Sequence, residues 1–230
     1  LTFGMYSLNS SGVITDSIFT EDYMADQWFG FFALGIDGGS LLIRGNTFDN
    51  NKKGLSVFNG PHVVDGNVFT NNQTPVMFGS TDPAGTPTFN GNSASGNTVN
   101  GITTAAIAND YTFKKDLPYV GTISVPAGKT ITAEAGVVFK PTQGFAEDID
   151  GTFKADGTAL APVVFTSLAD DSYGGDTNND GLCNPADASS TAACPRPGDW
   201  SLLDFQPTSV GSTLKHTIIR YGASWPCILI

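Results

Sequence analysis

The clearest chemistry in the sequence lies in the twelve residues Asp176 to Asp187, which read Asp-Thr-Asn-Asn-Asp-Gly-Leu-Cys-Asn-Pro-Ala-Asp. Asp176, Asn178 and Asp180 stand at i, i+2 and i+4. Gly181 follows where a sharp turn is needed, and Leu182 offers its main-chain carbonyl. Asn184 and Asp187 occupy the ninth and twelfth positions. Hard oxygen donors in this order wrap one calcium ion at about 2.4 Å. The flanks are rich in Gly and Pro, so this is a calcium loop without flanking helices, with Asp170 and Asp171 as further donors. The plain alternative is an acidic turn that binds nothing.

Other residue types that do chemistry are scattered. His62 and His216 are far apart in sequence and fall at or near bends of the chain, where structural or solvent-facing roles suit them. Asp16, Asp49 and Asp65 form no periodic carboxylate pair of the kind acid–base work on a glycosidic bond needs. Trp28 and Phe29, in a cluster with Phe31 and Phe32, would either fill a core or present rings on which a sugar can stack. The chain carries 11 Lys and Arg against 22 Asp and Glu, a formal net charge of -11. No basic stripe is available for nucleic acid or anionic lipid. No apolar run is long enough to span a bilayer, so membrane insertion is not expected, and the opening LTFGMYSLNSSG has neither the basic start nor the cleavage site of a signal peptide.

The elements that position these residues are dictated by a repeat. LLIRGNTFDNNKKGLSV, HVVDGNVFTNNQTPVMF and TFNGNSASGNTVNGITT say nearly the same thing, starting 21 and 25 residues apart. Such a period marks a solenoid. In each copy two apolar positions lie five residues apart: Ile43 and Phe48, Val64 and Phe69, Phe89 and Ala94. Ile14 with Phe19 and Leu214 with Ile219 keep the same interval more loosely. A strand alternates faces with period 2, so residues five apart would point to opposite sides unless something reverses the phase between them. Gly45-Asn46, Gly66-Asn67 and Gly91-Asn92 lie in that interval, and Gly and Asn enter the left-handed region at low cost. The chain is expected to bend there, leaving both apolar residues facing inward. A second Asn column follows at Asn51, Asn72 and Asn97. Parallel coils about 4.8 Å apart would place Asn on Asn, hydrogen-bonding along the stack.

These residues resemble the right-handed parallel β-helix repeat of the pectate-lyase-like superfamily, in its Gly-Asn-x-Phe-x-x-Asn form found in large secreted prokaryotic proteins. The resemblance implies an all-β fold, a right-handed parallel β-helix or β-solenoid. On this reading residues 1–105 are repeat coils, 106–118 a connector, and 119–230 a second β-helix segment with an insertion at about 168–199. In the second segment the short apolar pairs Ile123 with Val125, Ile131 with Ala133, and Val137 with Phe139 are separated by turns at Pro126–Gly128 and Ala135-Gly136. The resemblance also implies export to the cell exterior or surface, where Cys183 and Cys194 would pair, closing a short loop worth about 3 kcal/mol in the chain-entropy picture. Two free thiols are the alternative. Cys227 is left over, as a buried thiol or an intermolecular partner.

Enzymes of this superfamily cut acidic polysaccharides. Neither the hydrolase pattern of neighbouring Asp with His-Gly and Arg-x-Lys nor the Arg-x-Pro-x-x-Arg pattern of the lyases is found in this sequence. The expected function is therefore structural, adhesive or assembly-forming and not enzymatic, with calcium as the cofactor. A carbohydrate-active lyase or hydrolase is the first rival, and a non-catalytic glycan-binding module the second. The expected partners are copies of the chain or a longer chain of the same repeats, with polysaccharide as a further candidate. The repeat register survives a junction between the C-terminus of one copy and the N-terminus of the next, with Cys227 close to that joint.

Overall fold

A computed structural model of the chain describes residues 4–21, 32–81, 85–142, 147–184, 186, 191–223 and 228–229. All regular structure among them is β, and every described strand pairing is parallel. The chain forms two compact units, 1–105 and 106–230.

In the first unit each turn of the chain stacks on the one before, like residue on like. Ile14 pairs with Ile43, Ile43 with Val64 and Val64 with Phe89. Phe19, Phe48, Phe69 and Ala94 form a second column, and Leu34, Leu55 and Val76 a third. The rings of Phe19, Phe48 and Phe69 stack at 4.8 and 4.9 Å, nearly parallel at 7° and 11°. That spacing is the distance between strands, so the aromatic file inherits the backbone repeat. Stacking matters energetically because a single coil leaves apolar faces and strand edges open that only its neighbours can cover.

The expected phase reversal occurs at Gly45, Gly66 and Gly91, whose φ values are 66°, 63° and 63°, in line with Asp16 at 52° in the first coil. The glycine alone adopts the left-handed conformation; the following asparagine contributes its side chain instead. A second corner repeats the device at Asn50, Asn71 and Gly96, with φ of 53°, 57° and 68°. The asparagines after each corner form the two ladders, and all are buried except Asn92, which is half-buried. Asn46 Nδ2 donates to Asn67 Oδ1 and Asn67 Nδ2 to Asn92 Oδ1, each at 3.0 Å. Asn51 Nδ2 donates to Asn72 Oδ1 at 3.0 Å, and Asn72 Nδ2 to Asn97 Oδ1 at 2.9 Å.

The unequal repeat lengths are absorbed at corners. Phe58 pairs with Gly79, 21 residues on, and Val63 with Thr88, 25 residues on, so the extra four residues all lie in the bend between Gly79 and Thr88. No column is disturbed.

In the second unit Tyr119, Phe139 and Phe165 form one inward column, continued in register by the half-buried Ile219, and Phe113, Ala133 and Ala155 another, continued in register by Leu214, which is exposed. Ile123, Val125, Ile131, Ala133, Val137 and Phe139 are all buried, and the turns between them use Gly128 and Gly136 at φ of 74° and 84°. Phe139 packs on Phe113 at 5.0 Å and on Phe165 at 4.8 Å. The stretch 106–118, expected as a connector, instead holds the end of the strand Ile102–Ile107 and the strand Tyr111–Phe113. Tyr111 and Phe113 are buried, and their strand pairs with Thr130–Glu134. Its alternating apolar positions suffice for a three-residue strand but are too few to show as a period.

Candidate functional site

The insertion after Phe165 is rooted on the outer side of one sheet. The strand Val138–Lys140 pairs with Val163–Phe165, which pairs with Thr217–Ile219. Residues just past Phe139, Phe165 and Ile219 point to the opposite side of the sheet, and here they are Lys140, Thr166 and Arg220. Lys140 is fully buried. Its ammonium donates to Asp170 O at 3.0 Å, Gly175 O at 3.3 Å and Thr177 Oγ1 at 2.7 Å. All three protons of the cation are thereby used, as a buried charge requires. Burial pushes the ammonium down to about 8, against the pull of Asp170, Asp171 and Asp176.

Asp170 is the second root. Its carboxylate accepts from Thr166 Oγ1, from Ser172 Oγ and from Ser172 N at 3.2 Å, and Arg220 Nη1 lies 3.6 Å away. Burial alone would raise this carboxyl; the donors Ser172 and Thr166, with Arg220, outweigh it and hold it below its ordinary value. The Arg220 guanidinium also lies over the rings of Tyr173 and Tyr221. At the far end of the insertion Asp199 accepts from Ser167 Oγ at 2.5 Å and Arg196 N at 2.9 Å. Trp200 is buried, and its Nε1 donates to Arg220 O at 2.8 Å.

The residues expected to hold calcium lie at the tip of this insertion. Asp176 accepts from Asp180 N at 3.1 Å and Gly181 N at 3.0 Å, folding the turn 176–181 around its own carboxylate. Asp180 accepts from Ala193 N at 2.7 Å, Asp171 from Cys183 N at 2.7 Å, and Asn184 Oδ1 from Ala186 N at 3.1 Å. Leu182 is exposed. Asp187 lies outside the described residues. Among the described residues no three His, Cys, Asp or Glu side chains gather closely enough to share a metal ion. Two oxygens of the insertion nonetheless remain buried without a hydrogen bond, Asp171 Oδ1 and Asn178 Oδ1. Cys183 and Cys194 are joined as a disulfide, their Cα atoms 5.0 Å apart.

The other candidates are dispersed. Trp28, Phe29 and Cys227 lie outside the described residues. Phe32, from the same aromatic cluster, is half-buried with the Lys53 ammonium 4.8 Å above its ring. His216 is exposed at a corner with φ of 44°, and His62 is buried. Asp49 is engaged by Thr70 and Asn71, and Asp65 by Asn90 and Arg44, and these donors hold both carboxyls below the ordinary range. Sequence reasoning missed Lys140, Arg220, Asp199 and Trp200. The available signal was an ionisable residue directly after an apolar strand, in Val-Val-Phe-Lys and Thr-Ile-Ile-Arg.

Parallel coils with inward columns and asparagine files define a β-solenoid, and the insertion is an addition to its wall. The family of the right-handed β-helix region matches residues 2–116, half of the chain, and the chain belongs to that family. Comparisons with curated proteins and with solved structures gave no significant match.

Proposed function

We propose that this β-helix is an extracellular structural segment, adhesive or assembly-forming, that acts with copies of itself or with a longer chain of the same repeats and not as an enzyme. The two asparagine files carry this reading. Each inner bond at a corner ties one coil to the next, and side chains fixed on both sides resist shear between coils. A scaffold built in this way keeps its length and holds outward groups at fixed spacing, which suits projection or tiling. The carboxylates beneath the insertion support the same reading, because Asp170 and Asp199 are engaged by donors of their own wall. The disulfide supports a location outside the reducing cytosol.

Calcium belongs to this proposal as a brace for the tip of the insertion. Its support is the ligand spacing from Asp176 to Asp187 together with the two unpaired buried oxygens, Asp171 Oδ1 and Asn178 Oδ1, which a hard cation would satisfy. Electron microscopy and light scattering over a range of concentrations test the function. Filaments or a mass that grows with concentration are expected. A particle that stays at 24.1 kDa throughout and releases sugar from an acidic glycan would overturn the proposal in favour of a polysaccharide-cleaving enzyme.

A further inference from the structure

The strand Leu34–Arg44 runs unbroken through a bend at Gly38 and Gly39, whose φ values are 68° and 81°. Its first half pairs with Lys53–Phe58 as far as Asp37 opposite Phe58. Its second half pairs with Val63–Asp65, starting at Leu42 opposite Val63. Between these pairings the following coil leaves the ladder, because Asn59 and Gly60 turn it away with φ of 49° and 86°. Leu41 is buried there, and its N–H needs an acceptor that no strand supplies.

His62 supplies it. The side chain is fully buried, and its Nδ1 accepts the Leu41 N–H at 3.0 Å. An Nδ1 that accepts carries no proton, so the neutral ring is protonated on Nε2. Nε2 is also buried and closes no well-formed hydrogen bond, although the main chain at Asn59 and Phe58 lies against the ring and favours its charged form, less strongly than burial opposes it. The main chain of His62 reaches the next coil, its carbonyl accepting Thr88 N at 2.8 Å. One residue therefore ties three successive coils at the place where the ladder is split.

We propose that His62 is an acid-sensitive latch: protonation of Nδ1 removes the acceptor of the Leu41 N–H, sets two N–H groups against each other, and opens the corner formed by residues 38–41 and 59–62 while the flanking columns stay stacked. The charged group facing the imidazole is Asp37, from the strand Leu34–Arg44; no other described charged group acts on it. Asp37 favours the protonated ring but is itself engaged by Asn59 Nδ2 at 2.8 Å. Burial is the larger influence and lowers His62 below its ordinary 6.5. A lowered histidine contributes stability that is complete above 6.5 and is lost as pH falls from there through the folded value.

The sequence contains two histidines, so NMR can follow both rings between pH 7.5 and 5, a range in which ordinary carboxylates stay ionised. His62 is expected to titrate below 6.5 from an Nε2–H tautomer. Between 6.5 and the folded value of His62 the protection of the Leu41 amide should fall by up to about ten-fold per pH unit beyond its intrinsic exchange, the dependence expected for one linked proton, while Ile43 keeps its protection. In His62→Gln, whose amide oxygen accepts the same N–H without titrating, the Leu41 protection should be level across this range. A wild-type His62 that titrates at or above 6.5, or a Leu41 amide that loses no more protection than Ile43, overturns the latch whether or not the variant folds.

Discussion

Removing one asparagine from the middle of a file tests whether these side chains carry the stack. In the wild type, Asn67 Oδ1 accepts from Asn46 N and Asn46 Nδ2, each at 3.0 Å, and its Nδ2 donates to Ile43 O at 2.9 Å and Asn92 Oδ1 at 3.0 Å. Asn67→Ala removes all four bonds. Asn46 is fully buried, so its N–H is left without its acceptor at a cost of about 1 to 3 kcal/mol, and the other three bonds contribute about 1 kcal/mol each. The expected loss is roughly 4 to 6 kcal/mol, a large share of the stability of an ordinary domain. Asn67→Asp sharpens the test. It keeps both acceptors for Asn46 but turns a carboxylate oxygen toward Ile43 O and Asn92 Oδ1, where a donor stood. The buried carboxyl then favours its protonated form, so this variant should be as unstable as alanine at pH 7 and regain stability as pH falls through its raised value. Urea unfolding followed by far-ultraviolet circular dichroism measures both. An alanine variant within 1 kcal/mol of wild type would refute the view that the files, and not apolar burial alone, hold the coils.

Lys140→Met should cost roughly 3 kcal/mol, because it strips three acceptors of a buried cation without filling their needs; urea unfolding and faster proteolytic cleavage within 168–199 would report it, and an unchanged cleavage rate would contradict the rooting of the insertion on Lys140. Calcium at millimolar concentration should raise the melting temperature and a chelator should lower it, and Asn178→Ala should abolish the difference; equal melting temperatures with and without calcium in the wild type would remove the metal from the tip.

The repeat made much of this fold legible. Ile43, Val64 and Phe89 could be aligned on paper because each coil repeats one environment, so a residue's type reports its neighbour in the next coil as well as its own burial. The glycines at 45, 66 and 91 were readable for the same reason, since only a phase reversal explains apolar residues five apart. Legibility ended where periodicity ended. Lys140 meets Thr177 across 37 residues of chain, and nothing in either segment announces the other. His62 looked like an ordinary corner residue because its role depends on a gap in the ladder, and that gap appears only when two strands of unequal continuity are laid side by side. The spacing of Asp176 and Asp180 marks them as ligands, but it does not reveal that main-chain N–H groups of the same insertion also donate to their carboxylates.

The confinement of extra residues to bends sets what this chain can tolerate in its own history. Between Gly79 and Thr88 this repeat is four residues longer than the one before it, and Phe78 and Phe89 are still in register with their columns. Lengthening a connection between paired strands adds only a slowly growing closure entropy, whereas one residue inserted between Val64 and Phe69 would turn an inward side chain outward. Variation is thus channelled to a few positions around each coil, stacked one above another along the solenoid. Surface features can be gained, enlarged or exchanged there independently, coil by coil, on a frame that does not have to be redesigned.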